Sequence, residues 1–121
     1  MNANKNQSLS ARLRFALAGL GHGLRTERSL RTQIAVSIGV AVALVILRPA
    51  PLWWALAIVC STAVVAAELF NTAIERLADH LHPQLHSEIR IVKDCAAAAV
   101  LCFSLGALGV AVALLVAIAR S

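Results

Sequence analysis

Residues 68 to 79 read Glu-Leu-Phe-Asn-Thr-Ala-Ile-Glu-Arg-Leu-Ala-Asp and directly follow an apolar run, Leu52 to Ala67. At about 100° per residue in an α-helix, four polar side chains of this stretch fall within a sector of about 80°. We call these four the polar stripe: Glu68, Asn71, Glu75 and Asp79. An acid at the end of an apolar membrane helix is energetically costly and usually serves a function.

The chain as a whole is too apolar for an ordinary water-soluble domain. Apolar residues make up 60% of its 121 residues, and the mean hydropathy is +0.78. Three segments carry no charge: Ile34 to Leu47, Leu52 to Ala67 and Cys95 to Ala119. This pattern predicts an all-α integral membrane protein with three transmembrane helices. The first two segments are shorter than the roughly 20 residues that a span needs, so we expect each to continue into its polar flank.

One membrane domain is predicted over residues 1–121. We expect residues 1–10 to be flexible and residues 11–30 to form a helix on the membrane surface, because its leucines form a narrow apolar seam between arginines. Packing of this helix against the bundle is an equally good interpretation. The predicted membrane helices, with their cytoplasmic extensions, are 31–48, 52–81 and 88–119.

The basic residues predict the orientation. Six of the eleven Lys and Arg residues precede the first span, three lie between the second and third spans, and two lie on the other side. This asymmetry predicts a cytoplasmic N-terminus and a cytoplasmic segment 71–94. The net charge of +5 then faces anionic headgroups. No aromatic residues alternate with the basic ones to stack on bases, so we expect no nucleic-acid partner.

Five of the six acids of the chain are placed at this one membrane face: Glu27, Glu68, Glu75, Asp79 and Asp94. Clustered carboxylates repel each other unless cations neutralise them. Mg²⁺ held by one or two carboxylates and by substrate phosphates would do so. A carboxylate at headgroup depth can also reach a lipid hydroxyl while ATP approaches from the cytoplasm. That geometry suits phosphoryl transfer to a lipid.

Other interpretations of the same acids stay open. The polar stripe is also typical of a non-catalytic membrane scaffold that seals subunit contacts, or of a proton or cation pathway. A pathway needs acids through the membrane depth, and spans one and three contain none. Glu27 and Arg31 are four residues apart, which also fits an ordinary surface ion pair.

The residues resemble one known family. Glu-Leu-x-Asn-Thr-Ala-Ile-Glu from Glu68, then Asp79, His86 and Lys93-Asp94-x-Ala-Ala-x-Ala-Val, are similar to the motifs of the prokaryotic diacylglycerol kinases, a family that includes the undecaprenol kinases. Glu27-Arg28-x-x-Arg31 resembles the upstream motif of that family. The resemblance extends from about Phe15 to Leu101.

The resemblance implies a homotrimeric lipid kinase of the bacterial cytoplasmic membrane. By that likeness Glu68 would take the proton from the lipid hydroxyl, and Glu75 and Glu27 would hold Mg²⁺ on the ATP phosphates. Asn71 would support the site, and Asn71 and Arg31 are further candidates for binding the nucleotide or the substrate. The residues implied to contact or place the nucleotide are Lys93, Asp79 and Asp94.

Two departures from the family concern the lipid. Gln33 stands where the better-known diacylglycerol-phosphorylating members tend to carry an acid, and the N-terminal helix matches poorly. The stretch Thr26-Glu27-Arg28 resembles the undecaprenol-phosphorylating branch slightly more. Both diacylglycerol and undecaprenol are therefore expected as candidate acceptors.

Overall fold

A computed structural model describes residues 7–121, which form four α-helices and contain no strand. The helices are α1 (Leu9–Thr26), α2 (Arg28–Leu47), α3 (Pro51–Leu81) and α4 (Ser87–Ala119). The last three are each long and apolar enough to cross a membrane. They confirm the predicted all-α fold with three membrane helices, and the chain is a multi-pass membrane protein.

Helix α1 begins inside the segment that the sequence predicts to be flexible. Residues 1–6 of that segment lie outside the described residues. Ser8 is the N-cap of α1, and its Oγ accepts a hydrogen bond from the Ala11 backbone N–H at 3.3 Å. A serine at this position satisfies a backbone donor that has no partner within the helix, so the helix begins at Leu9.

The helical backbone is interrupted at Glu27, between α1 and α2. The interruption comes three residues before the boundary predicted at residue 30. Glu27 adopts an extended backbone with φ −111° and ψ 112°. Arg31 stabilises this break, because its Nη1 donates to the backbone oxygens of Leu24 at 2.9 Å and Arg25 at 3.2 Å. These carbonyls belong to the last turn of α1, where helical partners are missing. The early start of α2 supplies the span length that the uncharged run lacks.

Short connections join the membrane helices. Helix α2 ends at Leu47, and Arg48 follows in the left-handed region with φ 50° and ψ 51°. Pro51 opens α3, a position where its missing N–H costs nothing. At the other end of α3, His86 caps α4 by accepting the Glu88 backbone N–H on its Nδ1 at 3.1 Å.

Helix α3 is the centre of the fold. It packs most extensively against α4 and less extensively against α2, while α1 makes small contacts with both α2 and α3. A groove of 380 Å³ separates α2 from α4. Few side chains in residues 7–121 are buried, and large apolar side chains are exposed along all four helices. Such surfaces are those of helices that face lipid or other chains.

Candidate active site

Glu68 is the buried end of the polar stripe. It lies on α3 with 5% of its surface exposed, in a protein that buries few residues. Its Oε2 accepts a hydrogen bond from the hydroxyl of Ser29 on α2, at 2.9 Å. One turn further along α3, the buried Thr72 donates its hydroxyl to the backbone oxygen of Glu68 at 3.0 Å. The acid is thus held from a second helix and does not project freely into the membrane.

The packing around Glu68 is tight because a glycine brings α1 close. A Cβ atom on Gly23 would lie 2.8 Å from Leu30 Cδ2 and 3.2 Å from Leu69 Cδ2. Leu30 is fully buried, and it neighbours Ser29 as Leu69 neighbours Glu68. We call this contact of α1, α2 and α3 the junction. The side chains of Leu30 and Leu69 fill the space that a larger residue at position 23 would need.

Asn71 and Glu75 form a second contact one turn beyond Glu68. The Asn71 Nδ2 donates to Glu75 Oε1 at 3.4 Å, and both side chains are half-buried. The Asn71 Oδ1 is buried and accepts no hydrogen bond from residues 7–121. A buried polar oxygen without a partner is rare in a folded protein and needs an explanation. Together with the Glu75 carboxylate it makes an oxygen donor set that fits Mg²⁺.

Asp79 and Lys93 pair across α3 and α4. The Lys93 Nζ donates to Asp79 Oδ1, with 35% of the Lys93 side chain and 62% of the Asp79 side chain exposed. Asp94 follows Lys93 and is exposed, and its side chain makes no hydrogen bond to residues 7–121. The pair marks the open end of the polar stripe.

Glu27 and Arg31 lie where α1 turns into α2. Glu27 is the N-cap of α2 and is half-buried, and its side chain makes no capping hydrogen bond. The alternative of a Glu27–Arg31 ion pair is wrong for the described chain, because the only ion pair there joins Lys93 to Asp79. Arg31 instead binds the carbonyls that end α1. Its predicted part in substrate binding stays a prediction.

The structure therefore brings two pairs of the predicted residues into contact. It joins Asn71 to Glu75 and Asp79 to Lys93. In residues 7–121 no three His, Cys, Asp or Glu side chains stand close enough to hold a metal ion by themselves. Metal binding by Glu27 and Glu75 stays a prediction, which relies on oxygen ligands from the substrate as well.

Three polar residues near the site were missed by the sequence analysis: Ser29, Thr72 and His22. His22 lies on α1 beside Gly23, and its Nε2 is buried without a partner in the described residues. The one signal for Ser29 in the sequence is its position between Glu27 and Arg31.

Comparison with known proteins identifies the family of the chain. The family described as prokaryotic diacylglycerol kinase matches residues 14–115, which include every candidate site residue. A curated protein named diacylglycerol kinase, from Synechocystis sp., is 33% identical over 101 residues, which cover 83% of this chain and 58% of that protein. The chain thus spans little more than half the length of this relative. Since the family match covers most of the chain, the chain belongs to the prokaryotic diacylglycerol kinase family.

Proposed function

We propose that the protein is a lipid kinase, which transfers the γ-phosphate of ATP to the hydroxyl of a membrane lipid at the cytoplasmic face of the bacterial inner membrane. The observation that carries this proposal is the buried Glu68 carboxylate, which directly follows the apolar run Leu52 to Ala67 on α3 and accepts a hydrogen bond from Ser29 at one oxygen. A buried acid at this depth is suited to proton transfer with a lipid hydroxyl, which cannot leave the membrane interface.

Glu68 accepts the proton of the lipid hydroxyl as the lipid oxygen attacks the γ-phosphorus. Such general-base help contributes about 10²- to 10⁴-fold in rate. Most of the remaining acceleration comes from positioning and from neutralising charge on the phosphates. Lys93 contributes a positive charge toward the nucleotide, while Asp79 orients Lys93 through their ion pair. Asp94 is proposed to help place the nucleotide, and Arg31 to bind the nucleotide or the lipid.

Glu75 and Glu27 are the proposed ligands of Mg²⁺, and the unpartnered Asn71 Oδ1 beside Glu75 supports this assignment. When bound, the ion neutralises negative charge on the ATP phosphates. The Asn71 amide meanwhile fixes the orientation of the Glu75 carboxylate by donating to Oε1. Few helices of one chain surround the proposed site. We therefore propose that neighbouring copies of the chain complete the site in a homotrimer.

Two lipids are proposed as acceptors. The name of the Synechocystis relative supports diacylglycerol, which would become phosphatidic acid. Thr26-Glu27-Arg28 and the uncharged Gln33 support undecaprenol, which would become undecaprenyl phosphate. Both carry a hydroxyl at the interface, which is all that Glu68 requires.

The test measures transfer of labelled γ-phosphate from Mg-ATP to diacylglycerol and to undecaprenol in separate mixed micelles. We expect product from one or both lipids, and a fall of at least about 10²-fold in Glu68→Gln, because the amide cannot accept the proton. Glu88→Gln is the matched control, since Glu88 is an exposed acid outside the proposed site. Its rate should equal that of the wild type.

Two outcomes would contradict the proposal. Full activity in Glu68→Gln would remove Glu68 as the base. No product from either lipid, in wild-type protein that is folded and uniform in size, would favour the scaffold interpretation of the polar stripe.

A further inference from the structure

The Ser29–Glu68 hydrogen bond is the one side-chain hydrogen bond between α2 and α3 in residues 7–121. It joins residues 39 positions apart in the sequence. Ser29 lies in the first turn of α2, so the beginning of this helix reaches the Glu68 carboxylate.

The two carboxylate oxygens of Glu68 differ in their hydrogen-bond partners. Oε2 accepts the Ser29 hydroxyl, while Oε1 accepts no hydrogen bond from the described residues. Oε1 is not completely buried, although Glu68 as a whole is only 5% exposed. Ser29 thus occupies one oxygen of the carboxylate, and the other has no partner in the described residues.

The junction fixes this arrangement. Leu30, next to Ser29, is fully buried. The side chains of Leu30 and Leu69 leave no room for a Cβ atom on Gly23. A close-packed contact of this kind resists sliding of α2 along α3. Ser29 therefore meets Glu68 in one register, with the hydroxyl in place before any substrate arrives.

We infer that Ser29 is a positioning residue: it holds Oε2 of Glu68 and leaves Oε1 as the oxygen that accepts the proton of the lipid hydroxyl. The inference rests on the proposed function. As the lipid O–H bond breaks, Oε1 gains the proton and the lipid oxygen bonds to the γ-phosphorus. The bond from that phosphorus to the bridging oxygen of ATP breaks, which releases ADP and the phosphorylated lipid.

Removing the hydroxyl should slow the chemical step and leave nucleotide binding alone. For Ser29→Ala we expect kcat to fall by about 10- to 100-fold, the size expected for one hydrogen bond to a charged group. The KM for ATP should stay within about twofold of wild type, because the hydroxyl acts on the base and makes no contact with the nucleotide. Ser29→Thr keeps a hydroxyl at an exposed position and should restore most of the rate.

The experiment compares wild type, Ser29→Ala, Ser29→Thr and Ser37→Ala with Mg-ATP and whichever of diacylglycerol and undecaprenol the wild type phosphorylates. Ser37 is the matched control, since its hydroxyl bonds only within α2, to the Gln33 backbone oxygen at 2.8 Å. Ser37→Ala should keep the wild-type kcat, and thermal unfolding of all four proteins should coincide closely.

Three results would overturn the inference: wild-type kcat in Ser29→Ala, a loss expressed in the KM for ATP instead of kcat, or a Ser29→Thr protein as slow as Ser29→Ala. Each of these leaves the proposed function standing, because the wild type is active. An inactive wild type would instead remove the proposed function, and the inference with it.

Discussion

Glu68 and Asp79 lie on the same face of α3, yet their surroundings are opposite. Glu68 is 5% exposed and accepts a neutral hydroxyl from α2. The Asp79 side chain is 62% exposed and accepts a charged donor from α4. One helix therefore carries one acid in a packed junction and another in an open ion pair.

The difference shows that packing by neighbouring helices, and not position on the face of α3, sets the environment of each acid in the polar stripe. Electrostatic interactions strengthen where water is excluded, whereas exposed ion pairs are screened and contribute little. The Asp79 end is contacted from α4 by Lys93 and stays exposed, whereas Ser29 of α2 reaches the buried Glu68 end. We therefore expect changes near that end to have large effects and changes at the Asp79 end to have small ones.

Apart from Glu68 itself, the largest effect is expected at Glu75, which lies between the two ends. In Glu75→Gln the Mg²⁺ concentration for half-maximal activity should rise by about 100-fold, the upper end of the losses seen when groups around a metal are changed. The physical reason is the loss of one of the two carboxylates proposed to hold the ion. Phosphate transfer measured across a series of Mg²⁺ concentrations checks this.

Glu88→Gln serves as the control for Glu75→Gln, because it removes one carboxylate from an exposed position outside the stripe. Its half-maximal Mg²⁺ concentration should match that of the wild type. A Glu75→Gln protein with an unchanged Mg²⁺ requirement and a lower kcat would move Glu75 out of the metal site.

The fold was largely predictable because its signals are local. Uncharged runs and the helical period of the stripe are readable within one segment, and they predicted the three membrane helices that the structure confirms. The break at Glu27 was not predictable from these signals. It depends on Arg31 reaching back to the carbonyls that end α1, a contact that leaves no mark on the hydrophobic pattern.

The site was predictable only in part. Carboxylates on one helical face can be found from spacing alone, as Glu68 and Glu75 were. Which of them is buried depends on helices brought together from distant parts of the chain, and so does the partner of Glu68. Nothing near Ser29 in the sequence marks it as a site residue. Its position beside Glu68 depends on the packing of the neighbouring Leu30 against Gly23.

An intermediate effect is expected at the junction. Gly23→Ala should lower the free energy of unfolding by about 1 to 3 kcal/mol, the usual cost of overpacking a close contact. The added Cβ would lie 2.8 Å from Cδ2 of the fully buried Leu30, which has little room to move. Thermal or denaturant unfolding in detergent micelles measures this.

Gly19→Ala is the matched variant on the same helix, since nothing lies within 4 Å of a Cβ there. Alanine is the better helix former by about 1 kcal/mol, so this variant should be slightly stabilised. Equal changes in the two alanine variants would mean that the junction is looser than the Gly23 contact indicates.

The smallest effect is expected at the open end. A double-mutant cycle with Asp79→Asn and Lys93→Met should give a coupling in unfolding free energy of about 1 kcal/mol or less, because exposed ion pairs are screened and lose side-chain entropy. Repeating the cycle at high salt should reduce the coupling further. A coupling above about 2 kcal/mol that persists in salt would mean the pair is shielded from water in the assembled protein. The contrast with Glu68 would then disappear. A neighbouring copy of the chain would bury the Asp79 end, and both ends of the polar stripe would be shielded from water.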